Sequence, residues 1–208
     1  AKVENGMLVI EARADNRPNP NYREGSREWK QNRPAITCTS ASINTRGKFS
    51  FLYGRMEVRA RIPVGYGAWP AIWLLGNNLP WPSNGEIDIM EEVGVKPNYV
   101  SSSLHATGHV HSNNTQVTHE MLQEGAEDGF HLYAIEWTPK RITTYVDGRV
   151  QLVYDNPGTG KVDWPYDAPF YLILNLAWGG AWGGMNGTDD SALPTTMEID
   201  YVRVYQKK

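Results

Sequence analysis

Gly85-Glu86-Ile87-Asp88-Ile89-Met90-Glu91-Glu92 places four carboxylates among apolar side chains in one short segment. The apolar residues Ile87, Ile89 and Met90 predict a β-strand, because a solvated acidic segment would not alternate with them. Such a cluster is costly, since like charges repel and burial disfavours the ionised form, unless the carboxyl groups share protons or bind something. The segment therefore predicts a strand that carries a functional site.

The geometry of this strand depends on one extra residue. Side chains on a strand alternate between faces, which puts Glu86 and Asp88 on one face and Glu91 on the other. A β-bulge at 89–90 would shift the register and bring Glu91 onto the face of the other two. Glu92 would then point away from that face, and we interpret it as a solvated charge. An acidic edge strand or a calcium site are the alternatives for the whole segment.

Paired carboxyl groups with separated pKa values are the groups that hydrolyse glycosidic bonds. In retaining glycosidases the two carboxyl groups lie about 5–5.5 Å apart, so they must converge tightly. On a concave sheet, Glu86 and Glu91 can converge in this way across a bound sugar. The segment thus favours glycoside hydrolysis over a purely structural role.

Length and charge limit the classes of function. The 208 residues are enough for one domain with a sizeable core, and we predict a single domain over residues 1–208. The net charge of -3 gives no electrostatic reason to expect nucleic acid or an anionic membrane as a partner. The single cysteine, Cys38, excludes an intrachain disulfide. No run of 18 apolar residues is present, so we expect no membrane span.

Short strand patterns dominate the chain. Residues 56–62 alternate between apolar and polar, which predicts a half-buried strand, whereas 169–177 are nearly all apolar and predict a central buried strand. We predict loops at 16–31, 109–127 and 179–196, where polar residues or glycines dominate. No segment predicts a long helix. The pattern indicates an all-β sandwich, and one bent sheet would offer a groove for an extended polymer.

Residues 86–91 resemble the catalytic signature of the family 16 glycoside hydrolases, in its bulged, laminarinase-like form. Four further blocks resemble the family in the same order: 53–60, 67–73, 175–180 and 197–205. The resemblance implies a β-jelly-roll sandwich with an open substrate cleft on its concave face. It also implies roles for three residues, with Glu86 as the nucleophile, Glu91 as the general acid and then base, and Asp88 as a helper beside the nucleophile.

The activity implied by the resemblance is endo-acting, retaining hydrolysis of laminarin-type β-1,3-glucan, with no cofactor for catalysis. Mixed-linkage β-1,3-1,4-glucan is the second substrate and galactans such as agarose or carrageenan are the third. Transglycosylation is a further outcome, because a sugar can take the covalent intermediate in place of water. A glucan-binding lectin on the same sandwich and a calcium-dependent adhesion sandwich are the alternatives without catalysis. We expect a secreted protein, which we infer from the substrate class, and we expect a monomer.

Aromatic residues are rich in the amphipathic types, with eight tryptophans and eleven tyrosines against four phenylalanines. Such side chains present an apolar face to a sugar ring and a polar edge to water. Trp69, Trp73 and Trp81 precede the carboxylate strand, and we expect them to bind substrate, with core packing as the alternative. Trp81 is expected to hold the sugar ring over the bond that Glu86 attacks.

Further substrate-binding residues come from other segments. Glu57 and Arg59 share the polar face of a strand that we expect to cross the cleft, where a carboxylate and a guanidinium can bind sugar hydroxyls. A surface ion pair is the alternative for them. The resemblance implies that His105 lies near the acid/base and that Asn175 and Trp178 line the cleft.

Two metal sites come into consideration. His109 and His111 could form a metal pair, but no third ligand is in register, and we interpret both as loop residues. By resemblance, Asp200 and backbone carbonyls near Gly6 could hold a structural calcium, whereas the alternative is that Asp200 caps a sheet edge. Family members usually carry an N-terminal strand and an aromatic, Asn-rich segment before the part matching residues 3–6. We expect either a trimmed chain or a shorter cleft.

Overall fold

The computed structural model describes residues 1–78 and 80–207. Across these residues the chain forms fourteen strands and a few short helices. The strands are β1 (Lys2–Glu4), β2 (Met7–Pro18), β3 (Ala35–Thr39), β4 (Ser42–Asn44), β5 (Gly54–Arg61), β6 (Ala68–Gly76), β7 (Glu86–Glu91), β8 (Tyr99–His105), β9 (Val117–Leu122), β10 (His131–Trp137), β11 (Arg141–Val146), β12 (Arg149–Asp155), β13 (Phe170–Trp178) and β14 (Thr195–Tyr205). The helices are α1 (Gly180–Gly183) and two 3-10 helices, His111–Asn113 and Asp190–Ala192.

The strands form two antiparallel sheets. One has the order β1-β2-β14-β5-β10-β11-β12, with β3 paired to β2, and contains eight strands. The other has the order β4-β13-β6-β7-β8-β9 and contains six. The predicted all-β sandwich is confirmed, and the carboxylate strand β7 lies inside the six-stranded sheet, flanked by β6 and β8.

The core lies between the two sheets. From β7 it receives Ile87, Ile89 and Met90, and from β5 it receives Met56 and Val58, all with at most 1% of their surface exposed. Burying an aliphatic side chain of this size stabilises the fold by about 1.5–3 kcal/mol. The apolar half of the carboxylate strand therefore anchors it, while its other face is free to carry charge.

Three segments differ from the loops that the sequence predicts. β2 continues to Pro18, into the segment expected to be a loop from residue 16, because β3 pairs with its end. β9 forms inside the loop predicted at 109–127, since it adds an edge strand to β8 with mostly exposed residues and no apolar alternation. The glycine-rich loop at 179–196 contains α1. In the described part of the chain, no helix has the length and apolarity needed to cross a membrane.

Candidate active site

The predicted bulge is present in β7. On β6, Trp73 pairs with Asp88 and Ile72 pairs with Met90, so Ile89 is the extra residue. The pairing with β8 shifts in the same interval, between Asp88 and Glu91. The bulge thus allows two consecutive residues, Ile89 and Met90, to face the core. It also places Asp88 and Glu91, which flank them, on the same face of the sheet.

That face forms the wall of an open pocket of about 250 Å³. Alternate residues of three neighbouring strands supply its lining, as the period of two requires. The lining residues are Trp69, Ala71 and Trp73 from β6, Glu86, Asp88 and Glu91 from β7, and Asn175 and Ala177 from β13. The structure therefore places Asn175 beside five side chains of β6 and β7 that the sequence predicts to bind substrate or to take part in catalysis.

Burial raises the pKa values of all three carboxyl groups. The pKa of Glu86 rises to about 8 through burial and the negative charge of Asp88. That of Glu91 rises to about 7 through burial, and a hydrogen bond from Trp69 offsets part of this shift. Burial and the charge of Glu91 hold the pKa of Asp88 well above its usual range. At neutral pH the three groups therefore share protons, as a general acid beside a carboxylate requires.

His105 stands against the two carboxyl groups at the start of β7. Its Nε2 lies 3.2 Å from Oδ2 of Asp88 and 3.9 Å from Oε1 of Glu86. The hydroxyl of Tyr166 donates a 3.0 Å hydrogen bond to the backbone carbonyl of His105 and so holds this part of β8 in place. His105 thus lies beside the predicted nucleophile, and its charge also lowers the pKa of the predicted acid/base, Glu91.

Two indole groups of β6 are oriented by hydrogen bonds. Nε1 of Trp69 donates to Oε1 of Glu91 at 3.0 Å, and Nε1 of Trp73 donates to Oδ1 of Asn175 at 2.6 Å. Both rings are half-buried and border the pocket. Because their polar edges are already bonded, their faces and rims are the parts left for a ligand.

Trp81 lies at the other end of the carboxylate strand. Its side chain is 44% exposed, and its indole lies near enough to Glu86 to offset part of the rise in the pKa of that carboxyl. The short loop that carries it is held by the amide of Asn84, which donates to the carbonyl of Gly76, and by a 3.1 Å hydrogen bond between Ser83 and Thr107. Trp81 is therefore an exposed aromatic ring at the predicted nucleophile.

Glu57 and Arg59 do not lie in the cleft, and the prediction for them is wrong. They belong to β5 of the eight-stranded sheet, on the face directed away from the core. Glu57 accepts a 2.8 Å hydrogen bond from Arg55, and Arg59 stacks on the ring of Phe130. The alternation of this strand was interpreted correctly, but alternation does not reveal to which sheet a strand belongs.

Trp178 is also displaced from its predicted place. It ends β13, but it is not among the residues lining the pocket. Its Nε1 donates a 2.9 Å hydrogen bond to Oδ1 of Asp190 in the second 3-10 helix, and its ring packs close to Gly67. Its neighbour Ala177 faces the pocket instead, so Trp178 supports the glycine-rich loop.

The two residues predicted to bind calcium, Gly6 and Asp200, lie near each other, but their arrangement does not fit a calcium site. The pairing of Ile199 with Leu8 brings Asp200 near Gly6 across the β14–β2 pair. Oδ2 of Asp200, however, accepts a 2.7 Å hydrogen bond from Arg59. Calcium prefers six to eight oxygen ligands, and the guanidinium of Arg59 competes with it for Asp200. Among the described residues, the three-residue cluster whose geometry could hold a metal ion is Glu86, Asp88 and His105.

Glu92 is buried, which contradicts its interpretation as a solvated charge. Only 2% of its surface is exposed, and neither carboxyl oxygen has a hydrogen-bond partner among residues 1–78 and 80–207. Burial raises its pKa to about 10, and the neighbouring carboxyl of Glu127 adds to the shift. The bulge predicted from the sequence already indicates a buried Glu92, because a residue that faces away from the cleft at the end of β7 must face the core.

Two further aromatic residues at the site were not predicted. Trp182 of α1 packs edge-on against Trp69, with ring centroids 5.6 Å apart. The ring of His111 lies 5.7 Å from that of Trp81. Both come from segments without apolar periodicity, so no local pattern could have placed them at the cleft.

Comparisons with known proteins agree with this geometry. A model of the family described as glycosyl hydrolases family 16 matches residues 10–203. The chain belongs to glycosyl hydrolase family 16. The predicted jelly-roll sandwich and the predicted glycoside hydrolase class are thereby confirmed.

Individual family 16 relatives are similar over almost the whole chain. A β-glucanase of Rhodothermus marinus is 44% identical over 99% of this chain and 70% of its own length. The crystal structure of SCLam, a non-specific endo-β-1,3(4)-glucanase, superposes with a TM-score of 0.87 at 39% identity, covering 99% of this chain and 74% of SCLam. That of the laminarinase from Flavobacterium sp. UMI-01 gives 0.84 at 42% identity, covering 99% and 81%. A variant of SCLam carries a 1,3-β-D-cellobiosyl-glucose at its active site.

Proposed function

We propose that this chain is an endo-acting, retaining β-glucanase that hydrolyses laminarin-type β-1,3-glucan. The single observation that carries the proposal is the bulge in β7, which aligns Glu86, Asp88 and Glu91 on one wall of an open pocket. A pocket open to solvent accepts an internal segment of a polymer, and the tryptophans at both ends of the carboxylate row offer surfaces for sugar rings.

The first half of the reaction forms a covalent intermediate. Glu91 donates its proton to the glycosidic oxygen while a carboxylate oxygen of Glu86 attacks the anomeric carbon. The bond between that carbon and the glycosidic oxygen breaks, and the leaving chain departs as an alcohol. In the second half, Glu91 removes a proton from water, the water oxygen displaces Glu86, and the β-configuration is restored.

The protonation pattern follows from burial. Asp88 is the most enclosed of the three carboxyl groups, with 5% of its side chain exposed against 19% for Glu86. Because desolvation favours the neutral form, we assign a proton to Asp88, which can then donate to Glu86. The pKa of about 8 for Glu86 includes repulsion from an ionised Asp88, and a protonated Asp88 removes that repulsion. Glu86 is then ionised as the nucleophile, and the second proton resides on Glu91. His105, at 3.2 Å from Asp88, orients that helper.

The substrate assignment rests on the similarity to β-glucanases and laminarinases. Mixed-linkage β-1,3-1,4-glucan is a second candidate, which the resemblance to SCLam favours because that enzyme is described as a non-specific endo-β-1,3(4)-glucanase. A lectin on the same fold would bind glucan without needing three carboxyl groups in one buried row, whose desolvation is costly.

The remaining features of the proposal concern the whole protein. We propose that residues 1–208 act as one catalytic domain and as a monomer, and that the enzyme works outside the cell on a polymer too large to be imported. Two-carboxylate hydrolysis requires no cofactor. The calcium predicted at Gly6 and Asp200 is not part of the proposal, because Arg59 already pairs with Asp200.

The test is sugar release from laminarin, with lichenan and agarose in parallel, by the wild type, Glu86→Ser and the matched control Glu57→Gln. Glu57 lies on the outer face of the other sheet, so its variant should keep full activity. We expect oligosaccharides from laminarin, β-anomeric when first released, and none from Glu86→Ser. A folded wild type that releases sugar from none of the three polymers would exclude the proposed catalysis and favour the lectin.

A further inference from the structure

Three aromatic rings, those of Trp81, His105 and His111, form a cluster beside Glu86. The ring centroids of Trp81 and His105 lie 6.4 Å apart, those of Trp81 and His111 lie 5.7 Å apart, and those of His105 and His111 lie 5.6 Å apart. His105 is buried and contacts Asp88, whereas Trp81 and His111 are exposed. The exposed pair therefore forms a surface whose base is fixed to the carboxylate row.

The segment that carries His111 is held in one conformation. The backbone amide of Val110 donates to the hydroxyl of Thr115 at 3.0 Å, and the ring of His109 bonds to the carbonyl of Thr115, also at 3.0 Å. Nε2 of His109 lies 3.2 Å from Oδ1 of Asp163, on a different loop. His109 thus anchors the turn, and the backbone of His111 is fixed next to Trp81.

Trp81 needs such a neighbour. The loop carrying it is fixed through Ser83 and Asn84, but these two bonds do not involve the indole. Within residues 1–78 and 80–207, the aromatic rings packed against this indole are those of His105 and His111. His111 is tilted by 37° to the indole plane and supports it from the solvent side of the cluster.

We propose that His111 is a positioning residue for substrate binding: it holds the Trp81 ring in the orientation in which a glucosyl ring stacks on it next to Glu86. The inference rests on the proposed function, because it assigns the ligand of this surface as a sugar ring of the glucan. A side chain held in its binding orientation loses less conformational freedom when the ligand arrives, so His111 acts on affinity and leaves the chemical step unchanged.

The kinetic test uses His111→Ala, His111→Phe and the control His119→Ala, an exposed histidine on the edge strand β9. We expect KM for laminarin to rise about three- to tenfold in His111→Ala with kcat changed less than about twofold. His111→Phe keeps a ring and should restore most of the affinity. In a Trp81→Ala background, His111→Ala should have no further effect. An unchanged KM, or full additivity with Trp81→Ala, would overturn the inference.

A second measurement does not depend on activity. The protein is labelled with 5-fluorotryptophan, and the ¹⁹F resonance of Trp81 is assigned with Trp81→Phe. We expect this resonance to shift or broaden in His111→Ala and to stay in place in His119→Ala. If the wild type hydrolyses none of the polymers, the proposed function fails, but the resonance still decides whether His111 orients Trp81. A Trp81 resonance that does not respond to His111→Ala contradicts the inference.

Discussion

The indole Nε1 of Trp69 donates a 3.0 Å hydrogen bond to Oε1 of Glu91, the carboxyl that we assign as acid and base. This bond favours the ionised form of Glu91 and so limits the rise in pKa that burial causes, leaving it at about 7. A general acid with a pKa near the working pH is protonated often enough to donate and ionised often enough to accept. The pair therefore adjusts the acid/base to both halves of the reaction.

Replacing Trp69 by phenylalanine should move the alkaline limit of activity upward. Without the donor, the ionised form of Glu91 loses a hydrogen bond worth about 1.5 kcal/mol, which corresponds to about one pKa unit. Glu91 must be protonated to act first, so the alkaline limb of kcat/KM should shift to higher pH by about that amount. The pH profile of laminarin hydrolysis measures it. Trp182→Phe is the control, because Trp182 packs against the ring of Trp69, whereas the hydrogen bond to Glu91 comes from Trp69. A shift of the alkaline limb to lower pH in Trp69→Phe would contradict the assignment.

Replacing Glu91 by glutamine should separate the two halves of the reaction. On laminarin, kcat/KM should fall about 10²- to 10⁴-fold, because the leaving oxygen is no longer protonated. An aryl β-glucan oligosaccharide, whose phenolate leaves without a proton, should instead show a burst of phenol followed by slow turnover, since the second step still needs a base. Stopped-flow release of the phenol measures the burst. Glu136→Gln on the other sheet should behave as the wild type, and a Glu91→Gln enzyme with equal losses on both substrates would exclude the role of Glu91 as acid.

Replacing Glu92 by glutamine should stabilise the fold, increasingly so at higher pH. The pKa of Glu92 is about 10 in the folded protein, above the usual value near 4.3 in the unfolded chain, so the folded state holds a proton that the unfolded state releases. Stability falls as pH rises through this window, by up to about 4 kcal/mol between pH 5 and pH 8. Glutamine is neutral throughout and removes this loss.

Thermal unfolding of the wild type and Glu92→Gln at pH 5 and pH 8 checks this prediction. The gain in Tm should be larger at pH 8, and about 2–4 °C for each kcal/mol in a chain of this length. Glu24→Gln, at an exposed loop position, should show no such pH dependence. Equal effects of Glu92→Gln at both pH values would mean that Glu92 is ionised in the folded state.

Removing divalent metal should leave stability nearly unchanged. Arg59 already pairs with Asp200, so a calcium ion would have to displace a guanidinium to gain one carboxylate. We expect dialysis against EDTA and addition of calcium to change Tm by less than about 2 °C. A rise of Tm with the logarithm of calcium concentration would support the predicted calcium site and show that Arg59 moves away from Asp200.

Much of the site could be predicted from the sequence. The alternation of Ile87, Ile89 and Met90 with carboxylates requires one buried face and one charged face, and a single extra residue is enough to align Glu86 with Glu91. Trp69 and Trp73 follow from the same period of two on the preceding strand, which pairs with β7 in the structure. These are short-range consequences of backbone geometry and need no knowledge of the rest of the fold.

The sequence by itself determined the strand, its bulge and the residues of the carboxylate row. Tertiary structure alone decided which sheet each strand joins, so Glu57 and Arg59 lie on the outer face although their alternation matches that of a cleft strand. It also decided that His111 reaches Trp81. The physical reason is that periodicity records how one strand divides its own side chains, whereas burial and contact depend on which distant segments pack against each face.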